Sequence, residues 1–514
     1  MKSRLFIILM AGVALGCSDF LEETSQTEIR PSTVRDMEKI LESEAYFSGE
    51  EGYIFNRGTD IFTDDVKSNV LDDGSSATVT KENQRYRFAW DRTMFDEVGG
   101  GEDISFWSNP YERINRCNLV LEYINGMDGD EVERNHIRGE AYTLRGFYYF
   151  MLVNFFGLPY NYGDPTRNPG VPVKLDSGVT DDRLARNSVS ECYEQIERDL
   201  LRGTAMMKAN KDAQSIKLTR LNYLAGYALL SRMYLYMEDW EKAILYADSV
   251  LLVQSDLLDL KSTTTSCVYY STSPDEILWA GQEAYTSNSN YSLGEVYPFT
   301  VSDELVSVYV RDNDGITDIR GDYNNVITIY YSESTITPVF LKRGQLWDYV
   351  SASYGNFWVA AVLKGNVVAT VAGTTTNMYN GGVRTAEMYL NRAEAAIHRY
   401  IETNNQTYAT AALADLNVLR RNRFEEGYVD KELSDFTTGE ELLEFCLRER
   451  RRELCGEGNH RWFDLRRSGM PQINHVYVDN NGYETIYTLQ EEDPRYALPI
   501  PEEVLSRNSN LTQN

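Results

Sequence analysis

Between Arg220 and Leu252 two amphipathic stretches meet at Glu238-Asp239, and this pairing restricts the fold more than any other feature of the chain. Tyr227, Leu230 and Tyr234 set large side chains on one face of the first stretch at helical spacing. Ala243, Ala247 and Val250 do the same with smaller side chains on the second. Ser231 is also small, so the two helices can approach closely, with Asp239 and Trp240 making the turn. A looser copy follows: Leu390, Ala393 and Ala396, then Ala412, Leu416 and Leu419, joined by a polar connection around Asn404 and Asn405.

The spacing is that of a tetratricopeptide hairpin, a unit that buries its apolar face only against neighbouring hairpins. The chain is therefore expected to be mainly α, a tetratricopeptide-like helical hairpin scaffold. Further helices are predicted from Trp107 to Ile124, from His136 to Phe156 and from Ser188 to Met207. The second stops at Gly157 and Pro159 as a helix should. Four prolines within 157–187 predict a long ordered loop. Residues 257–382 differ in kind, being rich in Ser, Thr, Tyr, Asn and Gly, with strand-like alternation only in pieces such as Val326 to Tyr331 and Val367 to Val371. The expected organisation is a signal peptide over 1–16, a helical region over 17–256, an irregular loop-rich subdomain carrying short strands over 257–382, and a second helical region over 383–514.

At the amino terminus Lys2 and Arg4 precede an apolar run from Leu5 to Leu15, then Gly16 and Cys17, the pattern of a secretory signal. At about 1.5 Å per residue this run spans only half of a hydrocarbon core about 30 Å thick. Ala14-Leu15-Gly16-Cys17 resembles the bacterial lipobox, which implies lipidation of Cys17 and a membrane anchor there. Asp19, Glu22 and Glu23 resemble the surface-export signal of Bacteroidetes lipoproteins, which implies an outward-facing position on the outer membrane. No later run reaches 18 uninterrupted apolar residues, Trp358 to Val371 being broken by Lys364, Gly365 and Asn366. With 50 Lys and Arg against 78 Asp and Glu, the net charge of −28 argues against a nucleic-acid partner. Four scattered histidines and five further cysteines without a Cys-x-x-Cys pair suggest neither a metal site nor a disulfide framework, and no cofactor is implied. The cysteines read as small buried residues.

Several ordered segments resemble the SusD-like (RagB/SusD) nutrient-binding lipoproteins of Bacteroidetes. They are the lipobox; Trp107-x3-Tyr111-x2-Ile114-x2-Cys117-Asn118; Leu144-Arg145-Gly146-Phe147-Tyr148-Tyr149-Phe150 leading to Phe156-Gly157-x-Pro159; Glu449-Arg450-Arg451-x-Glu453-Leu454 through Glu457-Gly458-x-His460-Arg461-Trp462-Phe463-Asp464-Leu465-Arg466; and Tyr496-x-Leu498-Pro499-Ile500-Pro501. The resemblance implies a helical scaffold carrying an irregular subdomain. It also implies a surface protein that is not an enzyme, binds oligosaccharides or in some cases peptides, and serves as the lid of a SusC-like TonB-dependent transporter. The motifs themselves read as mostly structural. Arg450 falls on an apolar helical stripe with Leu443, Leu447 and Leu454, so it needs a buried carboxylate, Asp464 or Glu457. Arg145 interrupts an apolar face in the same way and calls for a second buried pair.

Glycan capture needs flat aromatic faces for the pyranose C–H surface and amides or charges at the edges for hydroxyls. Three segments offer both: Trp90, Asp91 and Arg92; Tyr285, Asn290 and Tyr291; and Trp347, Tyr354 and Trp358. Trp107, Trp240 and Trp462 sit inside helix signatures and are expected in the core. Asp64-Asp65 reads either as a cation or site carboxylate pair or as a cap or solvated turn. A hydrolytic alternative pairs Asp91 with Glu102 or Asp103, since glycoside hydrolysis needs two carboxylates.

Overall fold

The computed structural model describes residues 31–514 apart from 48–53, 56–57, 69–75, 97–102, 179–182, 262–275, 286–298, 311–314, 322–329, 333–334, 338–376 and 480. The signal segment with Cys17, Cys267 and the expected strand Val367 to Val371 lie outside the described residues.

Helices dominate. α1 (Val34–Ile40) continues into a π-helical turn, Leu41–Ala45, and α2 (Ser76–Phe88) follows. A run of neighbours then builds the scaffold: α3 (Ser105–Tyr123), α4 (Glu131–Phe156), α5 (Val189–Ala209), α6 (Tyr223–Tyr236) and α7 (Trp240–Leu251), each packing on the one before. After a short helix α8 (Asp303–Val310), α9 (Thr385–Thr403) packs directly on α7, and α10 (Gln406–Arg421) and α11 (Gly439–Leu454) both pack on α9. α12 (His460–Arg467) and α13 (Glu502–Arg507) complete the set. The chain thus leaves the scaffold after Leu251 and rejoins it at Thr385, with the two flanking helices in contact.

Local chemistry sets the helix ends. Ser188 and Glu191 form a reciprocal capping box at the start of α5, and Asp239 accepts from the Lys242 amide at the turn before α7. The close approach of α6 and α7 is direct: Ser231 Oγ donates to the Ala243 carbonyl at 3.0 Å, and Ala243 and Ala247 are fully buried. α4 ends at Gly157, where Arg466 donates to the Asn154 and Gly157 carbonyls and Arg186 to that of Phe156. The stretch after it is irregular, as its prolines predict, with an isolated bridge between Pro169 and Ser188.

The described strands form antiparallel pairs: β1 (Val66–Ser68) with β3 (Phe299–Val301), β2 (Ile277–Tyr285) with β6 (Asn377–Arg384), β4 (Tyr330–Ser332) with β5 (Thr335–Thr337), and β7 (Ile473–Val478) with β8 (Glu484–Leu489). Only Tyr330 and Tyr331 of the expected strand Val326 to Tyr331 are described, and both lie in β4. Gly382 pairs with Ala280 beside the irregularity in β2 and has φ of +90°, and a Cβ there would stand 2.0 Å from the Trp279 carbonyl oxygen.

Both expected ion pairs form. Arg450 Nε contacts Asp464 Oδ2 at 2.9 Å, and Arg450 Nη1 donates to Asn391 at 2.7 Å. Arg145 grips Asp199 with two bonds of 2.8 and 2.7 Å, while its Nη1 donates to Asn118, so α3, α4 and α5 are tied at one point. The stripe on α11 is rotated slightly from its expected position: Leu442, Phe445, Cys446 and Leu454 are buried, whereas Leu443 and Leu447 are half-exposed. Trp107, Trp240 and Trp462 are core residues, and Cys117, Cys192, Cys446 and Cys455 are buried free thiols.

A larger buried network surrounds Glu453. Arg320, Arg384 and Arg423 all donate to its carboxylate. Glu276 receives Arg384 and Arg423, Glu449 receives Arg320, Arg420 and Arg452, Asp318 chelates Arg320, and Glu457 receives Arg384. Burial alone would raise the Glu449 pKa, but its three arginines hold it well below the usual carboxylate range. Removing one member of such a pair leaves an uncompensated buried charge costing about 3–5 kcal/mol. A double-mutant cycle on Arg450→Ala and Asp464→Ala, followed by denaturant unfolding, is expected to show coupling of at least about 1 kcal/mol; additive losses would show that the two side chains do not act as a pair.

Candidate functional site

Trp90 is not an exposed platform. Its ring is fully buried, its Nε1 donates to the Phe62 carbonyl at 3.0 Å, and it stacks on His475 with centroids 4.1 Å apart. Phe88 stacks on His475 at the same separation and on Phe299 at 4.7 Å. The result is a continuous ring stack, Phe299–Phe88–His475–Trp90, that joins β3, the end of α2, β7 and the turn after α2. The sequence pattern of an aromatic beside two charges is thus produced by a core ring followed by surface residues: Asp91 and Arg92 are exposed next to it. Asp91 closes the following turn by accepting from the Thr93 amide and hydroxyl, each at 2.8 Å, and Arg92 donates to the carbonyl of Asn514.

Through three successive ring contacts this stack links the turn at Asp91 and Arg92 to Phe299, the first described residue after 286–298. Two of the three candidate segments therefore have ends on one rigid base. Tyr285 is the last residue of β2, its backbone paired with Asn377. Asn290, Tyr291, Trp347, Tyr354 and Trp358 lie outside the described residues.

The base is pinned from below by charge. Asp64 takes two bonds from Arg461, at 2.7 and 2.6 Å, and Asp65 receives Arg451 Nε at 2.7 Å, while Arg451 Nη1 also reaches Glu304 at the start of α8. Burial raises the Asp64 pKa, yet Arg461 and Arg451 overcome this and hold it down at about 2. The acidic pair is thus committed to arginines. Lys67 at the edge of β1 pairs with Asp303 at 2.8 Å. Asn459, in the left-handed region with φ of 59°, accepts from the Thr59 amide and hydroxyl and donates to the Ile54 carbonyl, so the Glu457-Gly458-Asn459 bend holds the segment leading into Asp64.

Of the carboxylates named in the hydrolytic alternative, Asp91 and Asp103 lie among the described residues, and each is held in local bonds. Asp103 bonds Arg87 and accepts from the Ser105 amide at the start of α3. Burial tends to raise its pKa, but Ser105 and Arg87 hold it below the usual value, the wrong direction for a proton donor at neutral pH. Glu102 lies outside the described residues.

His475 is the site residue that sequence reading missed. The alternation Ile473, His475, Tyr477 on the inner face of β7 and the Asn481-Gly482 turn signal were available to mark a hairpin with His475 pointing inward. Its Nδ1 lies 2.7 Å from the Phe88 carbonyl oxygen and its Nε2 2.8 Å from that of Thr63. Neutral imidazole has one N–H to offer these two acceptors, whereas the protonated ring has two. Burial pushes the His475 pKa below the ordinary value of about 6.5, against the pull of both carbonyls and of Asp64. His460 and His398 are lowered too, again mainly by burial. For a base depressed in the folded state, the unfolded chain takes up the proton first. The stability contribution is therefore fully present above about pH 6.5 and is lost as the pH falls from there through the lower folded-state pKa. The melting temperature is expected to drop between pH 7 and pH 5, with a smaller slope in the His475→Gln variant; a Tm that stays level or rises on acidification would contradict this assignment.

The family model described as "Starch-binding associating with outer membrane" matches residues 19–235, and the model of the SusD family matches residues 327–514. The SusD-like protein P2 of Formosa agariphila is 25% identical, covering 100% of this chain and 99% of its own length. Among solved structures, a SusD-like carbohydrate binding protein from Bacteroides vulgatus superposes with a TM-score of 0.64 at 21% identity, covering 93% of this chain and 97% of that one. A SusD superfamily protein from Bacteroides thetaiotaomicron gives 0.63 at 20% identity, covering 94% and 99%.

Proposed function

The chain belongs to the SusD family, and on that premise we propose that it is a cell-surface lipoprotein that binds nutrient glycan and delivers it unaltered to a TonB-dependent outer-membrane transporter, over which it sits as a lid. Family membership is the observation that carries this reading, because it supports a carbohydrate-binding role in nutrient uptake and an outer-membrane association. No helix among the described residues is long and apolar enough to cross a membrane, and the proposed attachment is the lipid on Cys17.

In the proposed site the sugar rings stack on aromatic side chains of the middle segment, Tyr285, Tyr291, Trp347, Tyr354 and Trp358. Asn290, together with Asp91 and Arg92 at the edge, serves the hydroxyls. The buried ring stack supports this arrangement without touching ligand. It fixes where the turn at Asp91 and Arg92 stands relative to Phe299, so these two edge groups are carried on a base that does not need ordering when ligand arrives.

The test is an affinity-gel screen of the soluble form starting after Cys17 against plant, host and microbial polysaccharides and against peptides. Retention by a glycan is expected, weakened about tenfold or more, on the order of 1.4 kcal/mol, in Trp347→Ala or Trp358→Ala. Trp90→Ala is expected to cost about 3–5 kcal/mol of folding stability instead. Retention by peptides alone, or release of shortened sugars, would overturn the glycan-binding reading.

A further inference from the structure

A groove of about 270 Å³ opens between the π-helical turn Leu41–Ala45 and the outer face of α3. It is lined by Ser43, Glu44, Tyr46, Glu112, Arg113, Asn115 and Arg116. Glu112, Asn115 and Arg116 stand at i, i+3 and i+4 and so share one face of α3. Arg116 Nε reaches Glu44 Oε2 on the opposite wall at 2.8 Å, which ties the two sides of the groove together. The π-helical geometry of the first wall is a local departure from regular helix of the kind that recurs at functional sites.

The inner part of the groove is built rather than incidental. Arg113 is 5% exposed, its guanidinium lies 5.3 Å from the centroid of the Phe55 ring, and its Nη1 donates to the Asn109 carbonyl at 3.1 Å. The Tyr46 hydroxyl is already engaged, donating to Glu140 and accepting from the Leu221 amide, so Tyr46 presents ring surface rather than a polar group. Glu112 and Asn115 make no hydrogen bond or ion pair within the described residues. Two carboxylates, Glu44 and Glu112, face two guanidiniums, Arg113 and Arg116, so the lining carries no net charge.

That balance selects the ligand chemistry. An ion of either sign gains little from a lining that sums to zero, whereas hydroxyl groups donate to carboxylates and accept from guanidinium and amide N–H at once. The volume falls just below the roughly 300 Å³ at which ordinary small-molecule pockets begin, room for one or two sugar rings rather than a chain. Arg113 also lies eight residues into α3, roughly 12 Å along its axis from Ser105 and the Asp103 turn. We propose that this groove is a second carbohydrate subsite, which holds one or two neutral pyranose units of a glycan whose other part occupies the loop site. The proposal rests on the glycan-binding reading above. Two weak contacts on one polymer raise the apparent affinity through effective concentration, without either contact being tight.

The double variant Glu112→Ala/Asn115→Ala tests it, because neither side chain has a fold partner to lose and its melting temperature should match the parent. Retention is measured in gels containing starch, xylan, mannan or laminarin, alongside Trp347→Ala. Hydrogen exchange is then followed on the wild-type protein with the retained polymer. The expected result is retention weakened about tenfold in the double variant, and slowed exchange at 41–46 and 109–117. Unchanged retention in the double variant, with no protection at those residues, overturns the subsite while leaving glycan binding intact. Retention of the wild type by none of the four polymers, and by none of the broader screen, overturns the glycan reading itself and the subsite with it.

Discussion

Helix α11 is enclosed on several sides, and its run Glu449-Arg450-Arg451-Arg452-Glu453 must find opposite charge in each direction it faces. At about 100° per residue, consecutive side chains leave the helix on different faces. Arg450 turns to Asp464 of α12 and Asn391 of α9, and Arg451 turns to Asp64, Asp65 and Glu304. Glu449 and Glu453 turn to Arg320, Arg384, Arg420 and Arg423, while Arg452 pairs with Glu449 and approaches Asp318. One turn and a half of helix therefore meets the C-terminal scaffold, the segment before β1 and the described ends of the excursion between α7 and α9. Buried ion pairs contribute little net stability compared with apolar packing, but a mispaired one is costly. Such a network discriminates between correct and incorrect docking more than it deepens the folded minimum.

The same economy of structure governs the ligand-binding side. The ring stack through His475, the Asp64–Arg461 pair and the Asn459 bend all converge on residues 54–68, which bind nothing themselves in the proposed scheme. They place the turn at Asp91 and Arg92 and the strand beginning at Phe299. In the proposed scheme the groups that select the sugar are separate from the charges and rings that hold this base.

The hairpin scaffold was legible because it is written at short range. Helical spacing, the turn at Asp239 and Trp240 and the small residues at Ser231, Ala243 and Ala247 each specify local geometry, and all appear as read. Arg450 and Arg145 were legible for a different reason: a charge on an apolar stripe demands a partner, and the nearby Asp464 met the first demand. Trp90 was misread because its neighbours Asp91 and Arg92 have loop chemistry. What buries its ring is His475, on a hairpin almost at the other end of the sequence, and no local pattern announces that contact. The same holds for Glu453, whose partners come from residues 320, 384 and 423. The groove at Glu112 had a weak local signal, three polar residues on one helix face, but its second wall is the π-helical turn, which no local sequence pattern marks.

The most direct test of the network's role is native-state hydrogen exchange on Glu453→Gln, which keeps the shape of the side chain and removes the charge that three arginines share. If the network docks the excursion, amides of β2, β6 and residues 318–320 exchange faster, while α4, α5 and α6 keep their protection. Exchange that is unchanged in β2 and β6, or raised equally throughout the scaffold, would contradict it.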